Sequence, residues 1–322
     1  MRNALIQIPD RFVWRWSARG AALFVGMMLI LLAGVATAAA QRSFASPQAA
    51  VDALMEAVRT NDEAALHAMF GPDSSKLLSS GDAVADAKNR AAFSKAYDEA
   101  NRLDIAHDDE ATLVVGKDEW PMPIPLVRDH GRWRFDTKKG ADEILARRIG
   151  RNELSAIKVC LAIVAAELDY STHDLDGDGL PQYASRFVSA PGKRDGLYWP
   201  TAADQTPSPL GALLAGAADE GYPGPDKRTL EPYHGYYYRI LVRQGNNAPG
   251  GAREYLVKGK LIGGFGLLAY PARYGASGVM SFMVNHDGVI YEKNLGPGTQ
   301  AAARAISAFD PDSSWKRSAV PK

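Results

Sequence analysis

The nearest thing to a chemical signature in the chain is Asp174, Asp176 and Asp178, which alternate along STHDLDGDGLPQ and are followed by Gly179. Carboxylates at the first, third and fifth positions, with glycine at the sixth, form the opening half of a calcium loop, in which oxygens converge on the ion and the glycine turns the chain. The second half departs from that pattern. Ser185 stands at the twelfth position, where an EF-hand places a bidentate glutamate, and Pro181 starts a new segment too early. Calcium is thus the one candidate cofactor, and the half match favours a plain Asp/Gly turn over a metal site. A second group is Lys193, Arg194 and Asp195 beside Tyr198 and Trp199 in PGKRDGLYWP. Mixed charge and aromatics on a loop is the composition of a binding surface. The competing and favoured reading tucks both aromatics into the domain and pins the loop, because large aromatics are usually buried.

Nucleophilic chemistry has little support. There is no H-E-x-x-H, no G-x-S-x-G and no Cys–His pair, and Gly275-Ala276-Ser277-Gly278 is one residue short of a nucleophile elbow. A triad would have to be gathered from distant residues, His234, Asp195 and Ser277 being the set to test. The single Cys160 lies in an apolar helical pattern and reads as a buried, inert thiol; it excludes a disulfide framework and a cysteine-rich zinc site. Gln244 to Gly251 is glycine-rich but lacks the strand–glycine–helix setting and the lysine of a phosphate loop.

Composition narrows the classes further. The 322 residues leave room for about two domains, and a hydrophobic fraction of 46% suits a chain with a core. Lys plus Arg equals Asp plus Glu at 37 each, so no global field draws the protein to nucleic acid. Arg11, Arg15 and Arg19 precede the uncharged run Ala21 to Ala40, which ends in small residues. That order reads as a secretory signal peptide cut after Ala40. The alternative is an uncleaved membrane anchor. Either way the working part, from Gln41, is expected outside the cytoplasm, periplasmic or secreted.

The elements that must position these residues follow from periodicity. Ser46-Pro47 opens a helix with Ala50, Val51, Leu54, Met55 and Val58 on one face; Asn61 and Asp62 break it, and Ala64 to Phe70 forms a second. A polar helix from Asp82 to Glu99 precedes strands at Asp104 to His107, Ala111 to Val115, Pro121 to Arg128 and Arg132 to Asp136. Ala141 to Tyr170 is a long helix that Gly150 is placed to bend or split, and a domain boundary is expected there, with no flexible linker. A short helix from Leu210 to Ala218 precedes the strand in Glu231 to Val242, with Tyr236, Tyr238 and Ile240 on one face and Tyr237, Arg239 and Leu241 on the other. Phe265 to Tyr270, Gly278 to Asn285 and Val289 to Glu292 read as an antiparallel meander whose second turn is Asn285-His286-Asp287-Gly288. A helix from Thr299 to Ala308 follows.

Two resemblances build on these residues. SPQAAVDALMEAVRTNDEAAL followed by strands ending in PIPLVRDHGRWRFD, over residues 43–137, resembles the α+β fold of the NTF2-like superfamily, which implies a pocket between sheet and helices. Some members carry an Asp–His pair there; His67 and His107 are the histidines available, and neither sits in a matching motif. In order, PGKRDGLYWP, SPLGALLAGA, YHGYYYRIL, GGFGLLAYPARYGASGVMSFMVN and HDGVIYEKNLGPGT resemble the DUF2950 family of exported bacterial proteins over residues 43–316. The second half is similar to type IV pilin-like modules, except that its helix is internal and carries Arg147, Arg148, Glu153 and Lys158.

The expected fold class is therefore α+β: a signal peptide (1–40), then an NTF2-like helix-and-curved-sheet domain (41–150) joined through a long helix to a pilin-like domain with an antiparallel meander (151–322). The expected function is a non-catalytic envelope protein that binds a cell-wall ligand or an envelope protein partner. The alternatives are a hydrolase acting on a cell-wall or small-molecule substrate and an accessory subunit of pilus or secretion machinery. No nucleic acid is expected as partner, and the membrane only if the N-terminal segment stays uncleaved.

Overall fold

The first helix, α1 (Pro47–Thr60), begins as its sequence dictates: Ser46 is extended, its Oγ accepts from the Ala49 N–H at 3.1 Å, and Pro47 occupies the first turn. Asn61, left-handed with φ 55°, ends it. Next come α2 (Glu63–Phe70), capped by Asp62, a 3-10 turn at Pro72–Ser74, the single-turn α3 (Ser75–Leu78), and α4 (Ala83–Glu99), capped by Asp82. This is a computed structural model, and it describes residues 41–175, 177–202, 204–224 and 231–319. The expected signal segment lies outside them.

The first antiparallel sheet runs β1–β2–β4–β5, with β3 also paired to β2. Its strands are β1 (Asn101–His107), β2 (Glu110–Val115), β3 (Trp120–Pro121), β4 (Leu126–Asp129) and β5 (Arg132–Phe135). The single strand expected from Pro121 to Arg128 is divided in two, because Pro123 and Pro125 have no N–H to give a ladder. The β4–β5 turn is the expected one, with His130 (φ 48°) and Gly131 (φ 78°) both left-handed as a tight hairpin requires. Leu54, Met55, Met69 and Phe70 from the helices meet Leu113, Val115, Leu126 and Phe135 from the sheet in one core.

The long helix α5 (Thr137–Tyr170) is continuous over 34 residues, straight through Gly150. An interior glycine costs a helix about 1 kcal/mol, too little to outweigh the packing on both sides of it. Its first turn is forced close to the sheet. A Cβ on Gly140 would stand 2.0 Å from the Pro123 carbonyl oxygen, so only glycine fits there.

The C-terminal part of α5 covers a second antiparallel sheet, ordered β14–β13–β12–β11–β6. Its strands are β6 (Tyr236–Leu241), β11 (Gly266–Pro271), β12 (Met280–Asn285), β13 (Tyr291–Asn294) and β14 (Lys316–Arg317). Between β6 and β11 run two small ladders: β7 (Arg243–Gln244) with β8 (Arg253–Glu254), and β9 (Leu256–Val257) with β10 (Lys260–Leu261). The expected meander and its Asn285–Gly288 turn are present. Tyr236, Leu267, Ala269, Phe282 and Val284 pack under Ile157, Cys160 and Ile163 of α5, while Leu241, Leu268 and Met283 face Ala303, Phe309 and Trp315. Burial on both faces explains why β11 is an uninterrupted apolar run. The helices α6 (Gly211–Asp219) and α7 (Thr299–Ala305) complete the fold, which is mixed α+β with antiparallel sheets and no barrel among the described residues. No helix of those residues is long and apolar enough to cross a membrane.

Polar contacts join the two sheets' surroundings into one compact unit, Gln41–Lys322. Asp82, 1% exposed, accepts from the Ala85 N–H (3.0 Å), the Tyr222 hydroxyl (2.9 Å) and the Gly235 N–H (2.8 Å). On α5, Glu153 Oε1 accepts from the N–H groups of Val279 and Met280, and Asn152 Nδ2 donates to the Ser277 carbonyl. Removing Asp82 uncaps α4 and strands two buried donors. Asp82→Ala is therefore expected to destabilise the protein by roughly 3 kcal/mol, read as a lowered urea midpoint. A change below about 0.5 kcal/mol would mean that water replaces the carboxylate.

Candidate functional site

The helices and the first sheet do not close completely on one another. Between α1, α2, α3, α4 and the start of α5 lies a cavity of about 350 Å³, within the size range of small-molecule sites. Its inner wall is apolar and buried: Leu54, Leu66, Phe70 and Met122 are all under 8% exposed. Val58, Phe93, Trp120 and Ile144 extend the wall outward. The polar part of its lining is dominated by arginine: Arg90 comes from α4 and Arg147, Arg148 and Arg151 from consecutive turns of α5.

The four guanidinium groups are held differently. Arg148 is fixed, donating to the carbonyls of Lys76 (2.9 Å) and Leu77 (2.5 Å). Burial lowers its pKa; Asp86 opposes that shift, and the nearby charge of Arg151 adds to it. Arg147 pairs with Glu143 one turn earlier. Arg90 and Arg151 have no carboxylate or carbonyl partner among the described residues. Asp86, 7% exposed, accepts from the Ser80 N–H at 2.8 Å.

The residues singled out from sequence lie elsewhere. Asp174 accepts from the N–H groups of Gly177 (2.9 Å), Asp178 (3.2 Å) and Gly179 (2.7 Å), the bonding of an Asp/Gly turn. Asp178 accepts from the Leu180 N–H and is paired with Lys260. Asp176 lies outside the described residues, among which no group of three or more His, Cys, Asp or Glu side chains is placed to hold a metal ion. In the second group, Lys193 and Arg194 are exposed. The Arg194 guanidinium stacks over Trp199 at 5.5 Å, and Trp199 in turn meets the ring of Tyr170. Asp195 is engaged by the Ala190 N–H (2.8 Å) and by Arg186 (3.6 Å). Tyr198 and Trp199 are half-buried against the second core, and the loop is pinned.

The three residues considered as a triad each have other partners. Ser277 Oγ closes its own turn, accepting from the Arg273 N–H and donating to the Arg273 carbonyl. His234 faces Glu220 at 3.7 Å and stacks with Tyr233, and burial lowers its pKa. Asp195 is bound to Arg186 as described. His67 bonds to the Ser74 hydroxyl at 3.0 Å; the side chain of His107 lies outside the described residues. Burial pushes the Cys160 thiol up to about 12, which keeps it protonated and inert.

Sequence reasoning missed the arginines. Arg147 and Arg148 read as the solvated side of an amphipathic helix, and only the fold brings Arg90 of α4 beside them. The i, i+3 and i+4 spacing of Arg147, Arg148 and Arg151 was the available signal, since it puts like charges on one face at a cost unless something compensates.

The chain belongs to the DUF2950 family, whose model, described as a protein of unknown function, matches residues 41–318. No curated protein matches the chain, and neither does any solved structure.

One buried carboxyl is strongly perturbed. Glu167 on α5 is 0% exposed; Oε2 accepts from the Ala184 N–H at 2.8 Å, Oε1 has no partner among the described residues, and burial raises its pKa to about 8. It sits under the second sheet, away from the lining of the cavity. The folded value exceeds the unfolded one, so the native state keeps a proton that the unfolded chain has released. Stability should therefore fall as pH rises from about 4.5 to about 8, by a few kcal/mol in all. Glu167→Gln is expected to flatten that slope in urea melts at about pH 5 and about pH 8; an unchanged slope would assign it to other groups.

Proposed function

We propose that this DUF2950 protein is an exported envelope protein that binds a ligand without transforming it, and that the cavity enclosed by α1 to α4 and the start of α5 is the ligand site. The observation that carries the reading is the cavity itself: an apolar inner wall under a cluster of charged groups. On this reading residues 41–150 work as an NTF2-like pocket domain. The pilin-like second half acts as its brace and as the surface offered to an envelope protein partner. Export rests on the arginine-flanked apolar segment up to Ala40. Gln41 suits a mature N-terminus, because its side-chain amide donates to the carbonyls of Met69 (2.6 Å) and Phe135 (2.7 Å) and pins the start of the compact unit. Binding is favoured over hydrolysis because the cavity pairs its arginines with a single lining carboxylate, Asp86. Hydrolysis by a pair of carboxylates, or by a nucleophile with its base, would call for partners to Asp86 that the lining does not supply.

The test uses residues 41–322 and a neutral fluorophore, N-phenyl-naphthylamine. Saturable fluorescence enhancement is expected, lost on filling the cavity with Val58→Trp while the melting temperature stays within a few degrees. A ligand at one hundred times its Kd should stabilise the fold by ~2.7 kcal/mol, so a parallel shift in melting is expected. Equal binding by the filled variant, or none by either, would remove the cavity as the site.

A further inference from the structure

The cavity has two chemically distinct parts, and together they define a ligand. Its apolar wall is made by Leu54, Leu66, Phe70 and Met122, and Asp86 is the one charged side chain among the buried lining residues. A volume of about 350 Å³ is on the order of ten water-sized groups at roughly 30 Å³ each, room for one short chain. An apolar wall of this kind rewards burial of a tail at about 0.8 kcal/mol per methylene.

The outer part carries an excess of positive charge. Four guanidinium groups face two carboxylates, Asp86 in the lining and Glu143 paired to Arg147. Arg148 is already committed to the Lys76 and Leu77 carbonyls and feels the like charge of Arg151. Several exposed arginines elsewhere are engaged by the fold itself: Arg59, Arg102 and Arg186 pair with carboxylates, Arg132 and Arg243 bond to Ser43 and Ser307, and Arg42 and Arg194 lie over aromatic rings. Arg90 and Arg151 come from different helices, line the same cavity and have no carboxylate or carbonyl partner among the described residues. Guanidinium forks present paired donors that match the two oxygens of a carboxylate or phosphate.

We propose that the cavity binds a single-chain amphipathic anion, an acyl carboxylate or alkyl phosphate of about ten carbons, with its tail against Leu54, Leu66, Phe70 and Met122 and its head held by Arg90 and Arg151. Arg148 acts as a positioning residue: tied to the α3 carbonyls, it holds the third positive charge behind the head without being free to turn toward it. The inference rests on the cavity being the ligand site, and it adds the identity of the head group and the number of chains.

Displacement of N-phenyl-naphthylamine from residues 41–322 separates the two claims. Decanoate is expected to displace the fluorophore at a concentration about tenfold or more below that of decanol, since a charge-assisted hydrogen bond carries that much preference. The gap should close in the Arg90→Gln, Arg151→Gln double variant, with decanol unchanged. Neither side chain caps a helix or makes an ion pair among the described residues, so the variant is expected to melt as the parent does. In the parent protein, added salt should weaken decanoate and leave decanol alone. Vesicles of anionic two-chain phospholipid should not displace the probe; displacement by vesicles and not by decanoate would overturn the single-chain assignment. If decanol competes as well as decanoate, the anion inference falls and the cavity remains a ligand site. If the fluorophore itself does not bind saturably, the ligand-site reading falls with it.

Discussion

The structure depends on how the carbonyls of one short helix are satisfied. A single turn such as α3 leaves nearly all of its C=O groups without helical partners, and groups of that kind cannot be left bare against a core. Two guanidiniums meet them. Arg148, from the long helix, takes the carbonyls of Lys76 and Leu77, and Arg273, from the turn between β11 and β12, takes those of Ser75 and Ser79 at 3.1 Å each. The short helix is thereby held from both sides, by an element that runs under the second sheet and by a turn of that sheet. Leu77 and Leu78 on the same helix form part of the cavity wall, so the polar tie that joins the two halves also sets the shape of the apolar site.

Next to this tie lies Gly235, left-handed with φ 76°. A Cβ there would stand 2.6 Å from Asn152 Nδ2 and 2.9 Å from the Ser277 Cβ, and its N–H is the one received by Asp82. Three segments far apart in sequence approach at a point where only glycine fits. The Tyr222 hydroxyl, which accepts from the His234 N–H and donates to Asp82, completes the connection, and burial together with the Asp82 charge raises its pKa so that it stays a donor. Close approach at this point couples the first sheet's surroundings to the second.

Much of the secondary structure was legible because its signals are local. Ser46-Pro47, Asp62 and Asp82 mark helix starts by capping chemistry, and His130-Gly131 and Asp287-Gly288 mark hairpins by their tolerance of positive φ. The faces of β6 followed from strict alternation, and Tyr236, Tyr238 and Ile240 do share a core that excludes Tyr237. Where local signals competed, the reading slipped. Gly150 counted as a breaker, yet the helix continues because Ile144 on one side and Ile157 on the other are each tied to a core. Pro123 and Pro125 counted as strand residues, although their missing donors free Met122 to Pro125 to lie against Gly140.

The candidate site was far less legible, for a reason specific to charge. Aspartates in alternation and a basic-aromatic loop stand out in sequence because their neighbours are their context. The Asp174 loop proves to spend its first carboxylate on backbone N–H groups, and the Arg194–Trp199 pair stacks on its own scaffold. Arginines on a helix do not stand out, since Arg147 beside Glu143 is what any solvated face looks like. What changes their meaning is the desolvation of Arg148 by a helix that lies about seventy residues earlier in the chain, and the arrival of Arg90 from α4. Those are properties of the fold. A cluster of like charges persists beside an apolar wall only where the remaining interactions outweigh its repulsion; here the α3 carbonyls hold Arg148 and Glu143 pairs with Arg147, while Arg90 and Arg151 share the lining with Asp86 and make no ion pair or carbonyl bond among the described residues. The uncompensated part of the cluster is therefore the part best suited to receive a charge from outside.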